Sequence, residues 1–397
     1  MGSVASDYLA PPPYATPRPR LWTPAFVTVA TVSLVYFLGL GVLLPVLPRY
    51  VHGPLRGGTF EVGLVFGSFS VTALLLRPWV GRLGDERGRR LLIVAGTAVF
   101  GLSVLGYAVA LSIPTMILMR LLAGAGEALF FVGAASAVAD IAPVERRGEA
   151  VSLFSLTLWA GLGIGPFIGE ALLGQDRFMI VWLVTAGLMA VTLVLAWRIP
   201  GTRPEEATVG DARRLIHPAA VMPGVVLLAS VWGYAGYVSL VTLYALELGL
   251  QGSRLLFGLF SAVVLMVRSL GARIPDRFGA GLTARAALIG SMIGLTTIAV
   301  VRSPFGLFTG TVVFALGQAL AFPALMTLAV NAAPPPERGL AVATFTAFLD
   351  LAFGMGPIVL GLIAAGLGYR GTFLSAAIVA AAGFLVLVRF IGPDRAA

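Results

Sequence analysis

Twelve runs of about twenty mostly apolar residues, separated by short polar joints, leave this chain few ways to fold. About twenty helical residues cross the ~30 Å hydrocarbon core of a bilayer, where every backbone N–H and C=O must be satisfied inside its own segment. The runs lie at roughly 24–47, 61–80, 91–111, 115–141, 148–173, 178–197, 222–248, 254–271, 282–301, 305–330, 339–365 and 371–390. With 58% hydrophobic and 11% charged residues, the chain is far too apolar for a water-soluble domain. The expected fold class is an all-α membrane protein of twelve transmembrane helices.

Most joints are very short, such as Ser112-Ile113-Pro114 and Arg302-Ser303-Pro304, so neighbouring helices form antiparallel hairpins. The one long hydrophilic connection, about 198–221, carries Arg198, Arg203, Arg213 and Arg214 and divides the spans into six plus six. The expected organisation is a disordered, Pro-rich cytoplasmic tail over 1–20, one lobe over 21–197, a cytoplasmic linker over 198–221 and a second lobe over 222–397. If both termini face the cytoplasm, eighteen of the arginines outside the spans lie on that side and six on the other. Short loops rich in arginine stay inside, so the chain is expected as a multi-pass protein of the cell membrane with both ends cytoplasmic.

The two halves repeat at a constant offset of 191. Phe66, Gly67, Phe69, Ser70, Arg77, Arg82, Asp85 and Gly88 map onto Phe257, Gly258, Phe260, Ser261, Arg268, Arg273, Asp276 and Gly279. Pro143, Gly163, Gly165 and Pro166 map in the same way onto Pro334, Gly354, Gly356 and Pro357.

All 27 basic residues are arginine, there is no cysteine, and the two histidines fall in joints. A phosphate loop has no lysine, a Schiff base has no amine, and cysteine-rich metal sites have no ligands. No cofactor, no metal and no enzymatic role are expected, and the scattered arginines form no stripe for nucleic acid. An ion gradient is the remaining obvious energy source.

Between the second and third spans stands Gly81-Arg82-Leu83-Gly84-Asp85-Glu86-Arg87-Gly88-Arg89-Arg90, the densest run of charge in the chain. It reads as a tight turn holding two helix ends together. The pattern G-x-L-x-D-x-x-G-R-R resembles the signature loop of the major facilitator superfamily of secondary transporters. That resemblance implies two pseudo-symmetric six-helix bundles with a substrate site between them near the midplane. It also implies a cytoplasmic latch made by Gly81, Asp85, Gly88, Arg89 and Arg90 with Asp140 at the end of the fourth span. In the fifth span, Gly161, Gly165, Pro166 and Gly169 resemble the antiporter motif of the superfamily's twelve-span drug:proton exporters, with Glu170 where a further glycine usually stands. The Leu44-Pro45-Val46-Leu47-Pro48 end of the first span is similar to the exporter pattern as well. Glycines four apart also let two helix backbones touch, whatever the protein carries.

Charges inside a span are costly and must face a cavity or a partner. Arg120 and Glu127 share a face of the fourth span, about 10 Å apart along its axis, and Arg120-Leu121-Leu122-Ala123-Gly124 resembles the superfamily's fourth-helix arginine motif. Asp350 is a third buried charge. The repeat sets Gln318 opposite Glu127 and Trp159 opposite Asp350, so each carboxylate occurs in one half only. Glu127, Asp350 and Arg120 are therefore the expected proton-coupling residues, with movement of Arg120 relative to Glu127 loading and releasing the proton. Each is also accounted for by a structural ion pair. Arg77 and Arg268, close to the expected loops, read as interfacial anchors.

Tyr36, Phe130, Phe131, Trp232, Tyr234, Tyr237, Gln318 and Phe322 are the expected cavity lining, suited to an amphipathic or cationic organic substrate. The expected function is proton-coupled export of small amphipathic or hydrophobic molecules, by a monomer in the lipid bilayer whose partners are that substrate and protons. The alternatives are an uptake symporter or lipid flippase of the same fold, a non-transporting membrane receptor, or a membrane-embedded enzyme. For the topology, tags at both ends should report from the cytoplasm and a reactive site near Arg56 should be labelled from outside; external labelling of 198–221 would refute it.

Overall fold

The computed structural model describes residues 21–143, 146–201, 216–270, 278–334 and 337–390. Most of these residues are helical, and no strand occurs among them. The first span is Pro24–Leu43, continued past Leu44-Pro45 by the short helix Val46–His52. The others are Thr59–Arg87, Arg89–Tyr107, Ile113–Ile141, Arg147–Leu173, Phe178–Ala196, Pro218–Glu247, Arg254–Leu270, Ala280–Val300 and Pro304–Asn331. The eleventh and twelfth run together as Arg338–Phe390 and part at Gly368, whose φ of 65° breaks the helix. Among the described residues, ten helices are long and apolar enough to cross a membrane; one of these is the broken pair, and the 17-residue eighth helix completes the twelve. The chain thus has the two six-helix bundles of the major facilitator fold. The expected tail and most of the linker, residues 202–215, lie outside the described residues.

The repeat is visible in the backbone. Ser112 and Ser303, 191 positions apart, each cap a helix with proline among its first two residues, accepting from Thr115 N at 3.4 Å and from Gly306 N at 3.2 Å. A cap of this kind satisfies one of the N–H groups a helix start leaves over, and proline there gives up a donor that had no partner. Gly88 and Gly279 take φ of 91° and 84°, a left-handed conformation that a side chain disfavours. The tight turn expected over Gly81–Arg90 is in fact this single joint. The second span stays helical through Arg87, and Gly88 alone ends it and begins the third.

Glycines set the spacing within each lobe. A Cβ on Gly41 would lie 2.5 Å from the Gly161 carbonyl oxygen, and one on Gly165 would lie 2.5 Å from the Gly41 carbonyl carbon. The first and fifth spans therefore touch backbone to backbone along the face made by Gly161, Gly165 and Gly169. The third and fourth spans meet where a Cβ on Gly126 would come within 2.8 Å of Gly96 O, and the ninth and tenth repeat this with Gly317 against Ala287 O at 2.5 Å.

Between the lobes, the second span packs on the eleventh and the fifth on the eighth. Gly63 and Gly67 lie against Pro357, Gly354 and Ile358, and Thr59 Oγ1 donates to Gly361 O at 3.0 Å. These contacts lie toward the face that holds residues 53–58, 174–177 and 248–253, opposite the arginine-rich face. Gly165→Leu should lower the thermal midpoint in detergent, since overpacking a filled contact costs about 1–3 kcal/mol or more. Gly187→Leu, at a position with nothing within 4 Å, is the control; equal midpoints would mean the first and fifth spans do not touch.

Candidate functional site

The site is built on charges that the two lobes bring to their common interface. Arg77, on the second span, reaches across to Asp350 on the eleventh, with Nη2 to Oδ1 at 2.9 Å. The Asp350 side chain is 8% exposed and that of Arg77 22%, so this is a largely dehydrated ion pair. The reading of Arg77 as an interfacial anchor is corrected here. Because the helix continues to Arg87, Arg77 lies about 15 Å from its end, beyond snorkelling reach.

Arg268, the repeat partner of Arg77, stands in the last described turn of its helix, which runs to Leu270. From the eighth span it crosses to the fifth, donating from Nη1 to Ser155 Oγ at 2.6 Å and lying over the Trp159 ring at 5.3 Å. Trp159, Tyr234 and Phe260 cluster beside it, with centroids 4.9–6.0 Å apart, and Phe353 meets Tyr234 edge-on at 5.8 Å.

Glu127 stands halfway along the fourth span, half-buried, with no hydrogen bond or ion pair to a described residue. It is within electrostatic range of both Arg77 and Asp350. Its repeat partner Gln318 is tied down, donating from Nε2 to Ser230 O at 2.9 Å and reaching Ser230 Oγ and Ser291 Oγ at 3.2 Å. The positions equivalent to Ser230 and Ser291 in the first half are Gly39 and Phe100, which offer no side-chain hydrogen bond. Glu127 has therefore lost the partners that immobilise Gln318.

Arg120 does not pair with Glu127. It donates from Nε to Val65 O at 3.0 Å and from Nη1 to Tyr107 Oη at 3.3 Å, and lies over Phe69 at 4.4 Å. These contacts tie the fourth span to the second and third. The basic residue facing Glu127 across the site is Arg77.

At the arginine-rich face, Arg89 Nε meets Asp140 Oδ2 at 3.1 Å, and the Arg90 guanidinium lies 4.9 Å from the Trp197 ring. Gly84 is the glycine pressed against this pair, since a Cβ there would come within 2.8 Å of Arg89 Nη1; Gly81 has open space around it. The side chain of Asp85 and the second-half copy around Asp276 lie outside the described residues.

Several expected lining residues are packing residues in this conformation. Tyr36 and Phe130 are fully buried and stack at 3.6 Å inside the first lobe. Tyr237 is fully buried with its hydroxyl 3.1 Å from Thr311 Oγ1, and the Gln318 amide is taken up as described. Phe322 packs beside Phe345 at 5.6 Å. Phe131, under the Arg77 guanidinium at 5.4 Å, and half-buried Trp232 stay near the interface, as does Tyr234.

The sequence reading attached no role to Glu170, the residue that departs from the glycine pattern. Its Oε1 accepts from Ser253 N at 2.5 Å and Ser253 Oγ at 3.1 Å, clasping the start of the eighth span from the opposite lobe. The signal for it was the departure itself: a carboxylate at a packing position needs donors, and a helix start supplies them.

The family model described as Major Facilitator Superfamily matches residues 29–307 and 255–397. The chain is 27% identical over 372 residues to an uncharacterized MFS-type transporter, STM4428, of Salmonella typhimurium, covering 91% of this chain and 96% of that one. Among solved structures it resembles the nucleoside transporter NupG with a TM-score of 0.77 at 13% identity, covering 91% of this chain and 98% of that one. It also resembles the human organic anion transporter MFSD10, with a TM-score of 0.69 at 18% identity, covering 92% and 100%.

Removing one member of the Arg77–Asp350 pair strands the other charge, at a cost of about 3–5 kcal/mol. Arg77→Leu and Asp350→Leu should each lower the thermal midpoint markedly, while the double variant recovers most of the loss. Strictly additive effects in that double-mutant cycle would show that the pair does not couple the lobes.

Proposed function

The chain belongs to the Major Facilitator Superfamily of membrane transporters, and we propose that it is a proton-coupled exporter of small amphipathic organic compounds. The observation that carries this reading is the triad at the lobe interface. Glu127 is half-buried with no partner among the described residues, within electrostatic range of an Arg77–Asp350 pair that joins the two lobes.

An alternating-access cycle must separate the lobes at one face while closing them at the other. Separation at the triad pulls Arg77 away from Asp350 and leaves a bare carboxylate in a dry setting, which costs several kcal/mol unless a proton neutralises it. Proton uptake by the carboxylates therefore favours the separated state, and return of Arg77 favours release. In this cycle Arg77 takes the part first expected of Arg120. The arginine-rich face is the cytoplasmic one on the positive-inside rule, so the contacts at the opposite face close the outer side. Export as the direction rests on the likeness of the fifth-span glycines and the Leu44–Pro48 segment to exporter patterns. Neighbours in fold space that carry nucleosides and organic anions fit a small organic substrate.

Growth tolerance to a panel of amphipathic inhibitors, with and without the chain, would identify a transported compound. In proteoliposomes with an imposed pH gradient the intact protein should move that compound uphill. Glu127→Gln should keep counterflow exchange but lose uphill movement, and Asp350→Asn should do the same. Uphill transport by both variants would refute proton coupling at this site.

A further inference from the structure

The two interfaces between the lobes are related by the 191-residue repeat, and they are not equivalent in charge. Arg77 and Arg268 occupy the same position on the second and eighth spans, each with its Nε buried and without a hydrogen-bond partner among the described residues; Asp350 and Trp159 occupy the same position on the eleventh and fifth. Each arginine crosses to the opposite lobe and meets the residue at that matching position: Arg77 meets Asp350 at 2.9 Å, and Arg268 meets Trp159 at 5.3 Å. One interface holds a carboxylate against its guanidinium. The other offers an aromatic ring where the carboxylate would be.

Arg268 is consequently a half-buried cation with no anionic partner among the described residues. Its Nη1 is satisfied by Ser155, its Nε is buried with no hydrogen-bond partner, and no described carboxylate pairs with it. The surroundings are a flat aromatic wall of Trp159, Tyr234 and Phe260. Arg268, Ser155 and Trp159 are all half-buried, so the group is not sealed in a core. A guanidinium presents a planar fork of donors that fits a carboxylate, sulfonate or phosphate in two parallel hydrogen bonds, and a ring beside it can stack on an apolar body. A cation gains nothing beside Arg268, and Asp350 is already paired with Arg77.

We propose that Arg268, with Ser155 and Trp159, recognises the anionic group of the transported molecule, which is an organic anion with a flat aromatic or apolar body. The substrate's negative charge takes, beside Arg268, the position that Asp350 takes beside Arg77. This rests on the reading of the chain as a transporter of small organic compounds and narrows it to one charge class.

The test is equilibrium binding to the intact protein in liposomes without any gradient, so that coupling and direction do not enter. The probes are radiolabelled 1-naphthoate and 1-naphthalenesulfonate, with the neutral methyl ester of 1-naphthoate and the cationic 1-naphthylmethylammonium as competitors. At least one of the two anions should bind saturably, and neither the ester nor the ammonium should displace it. Arg268→Gln should weaken that binding by about tenfold to a hundredfold, the worth of a charge-assisted bidentate contact, and Arg268→Lys should recover part of it. Trp159→Asp gives Arg268 the partner that its counterpart has, and should abolish anion binding while leaving the thermal midpoint at or above that of the intact protein. Absence of saturable binding of both anions, displacement by the ammonium, or unchanged affinity in Arg268→Gln and Trp159→Asp would each overturn the proposal. Uphill transport by the Glu127 and Asp350 variants, which would refute proton coupling, would by contrast leave this binding result standing.

Discussion

A guanidinium or carboxylate inside a bilayer must find a counter-charge, a dipole or water, and the architecture between the two lobes follows from that requirement. Arg77 and Asp350 pair across the interface at 2.9 Å through Nη2 and Oδ1. Arg268 is met by one hydroxyl and one ring, and Arg120 is absorbed into its own lobe by a carbonyl and a phenol. Three arginines in similar surroundings thus have three different solutions. Only those of Arg77 and Arg268 depend on the lobes staying in register, so they are the charges that a rocking motion must disturb.

Against these adjustable contacts stand the glycine contacts, which do not adjust. Backbone-to-backbone approaches such as Gly41 on Gly161 and Gly317 on Ala287 fix helix spacing inside a lobe to a few tenths of an ångström. With no water to exclude between helices in lipid, such close van der Waals contact is a main source of cohesion. Each lobe can then move as a rigid body, while polar contacts across the interface, including the Glu170 clasp on Ser253, form and break.

The spans, the six-plus-six division and the repeat were legible in the sequence because each depends on local composition or on a fixed offset. The Arg89–Asp140 contact was legible through resemblance to a known loop. The interface charges were not. A helix was expected to stop near Gly81, since glycine and arginine look like a loop; in fact the helix tolerates Gly81 and Gly84 and ends only where Gly88 takes positive φ. That error of two turns turned a buried ion-pair arginine into an apparent interfacial anchor. Which of the aromatics face the interface in this conformation was not legible either. Apolar helices are aromatic on every side, so nothing in the sequence separates Tyr36, stacked inside a lobe, from Tyr234 near the interface. What the sequence did contain was the correspondence of Asp350 with Trp159, whose meaning emerges only when Arg77 and Arg268 are seen facing them.

That correspondence bears on how a duplicated transporter acquires direction in its chemistry. With an arginine–aspartate pair at both interfaces, the two sides would resist separation equally and neither would have a charge left for a ligand. Replacing one aspartate by tryptophan changes a pair whose disruption costs about 3–5 kcal/mol into a cation–π contact worth about 0.5–2 kcal/mol. The interface of the fifth and eighth spans becomes the weaker one electrostatically and gains an unmatched cation, while that of the second and eleventh keeps the stronger bond and lies beside Glu127. On the functional reading proposed here, the same asymmetry assigns the two tasks of a coupled carrier to opposite sides of one pseudo-two-fold axis. Protons act where the carboxylates are, and the substrate's charge acts where a carboxylate is missing. A ligand anion at Arg268 would strengthen the weaker interface to match the other, so that the two lobes are held evenly only when the substrate is bound.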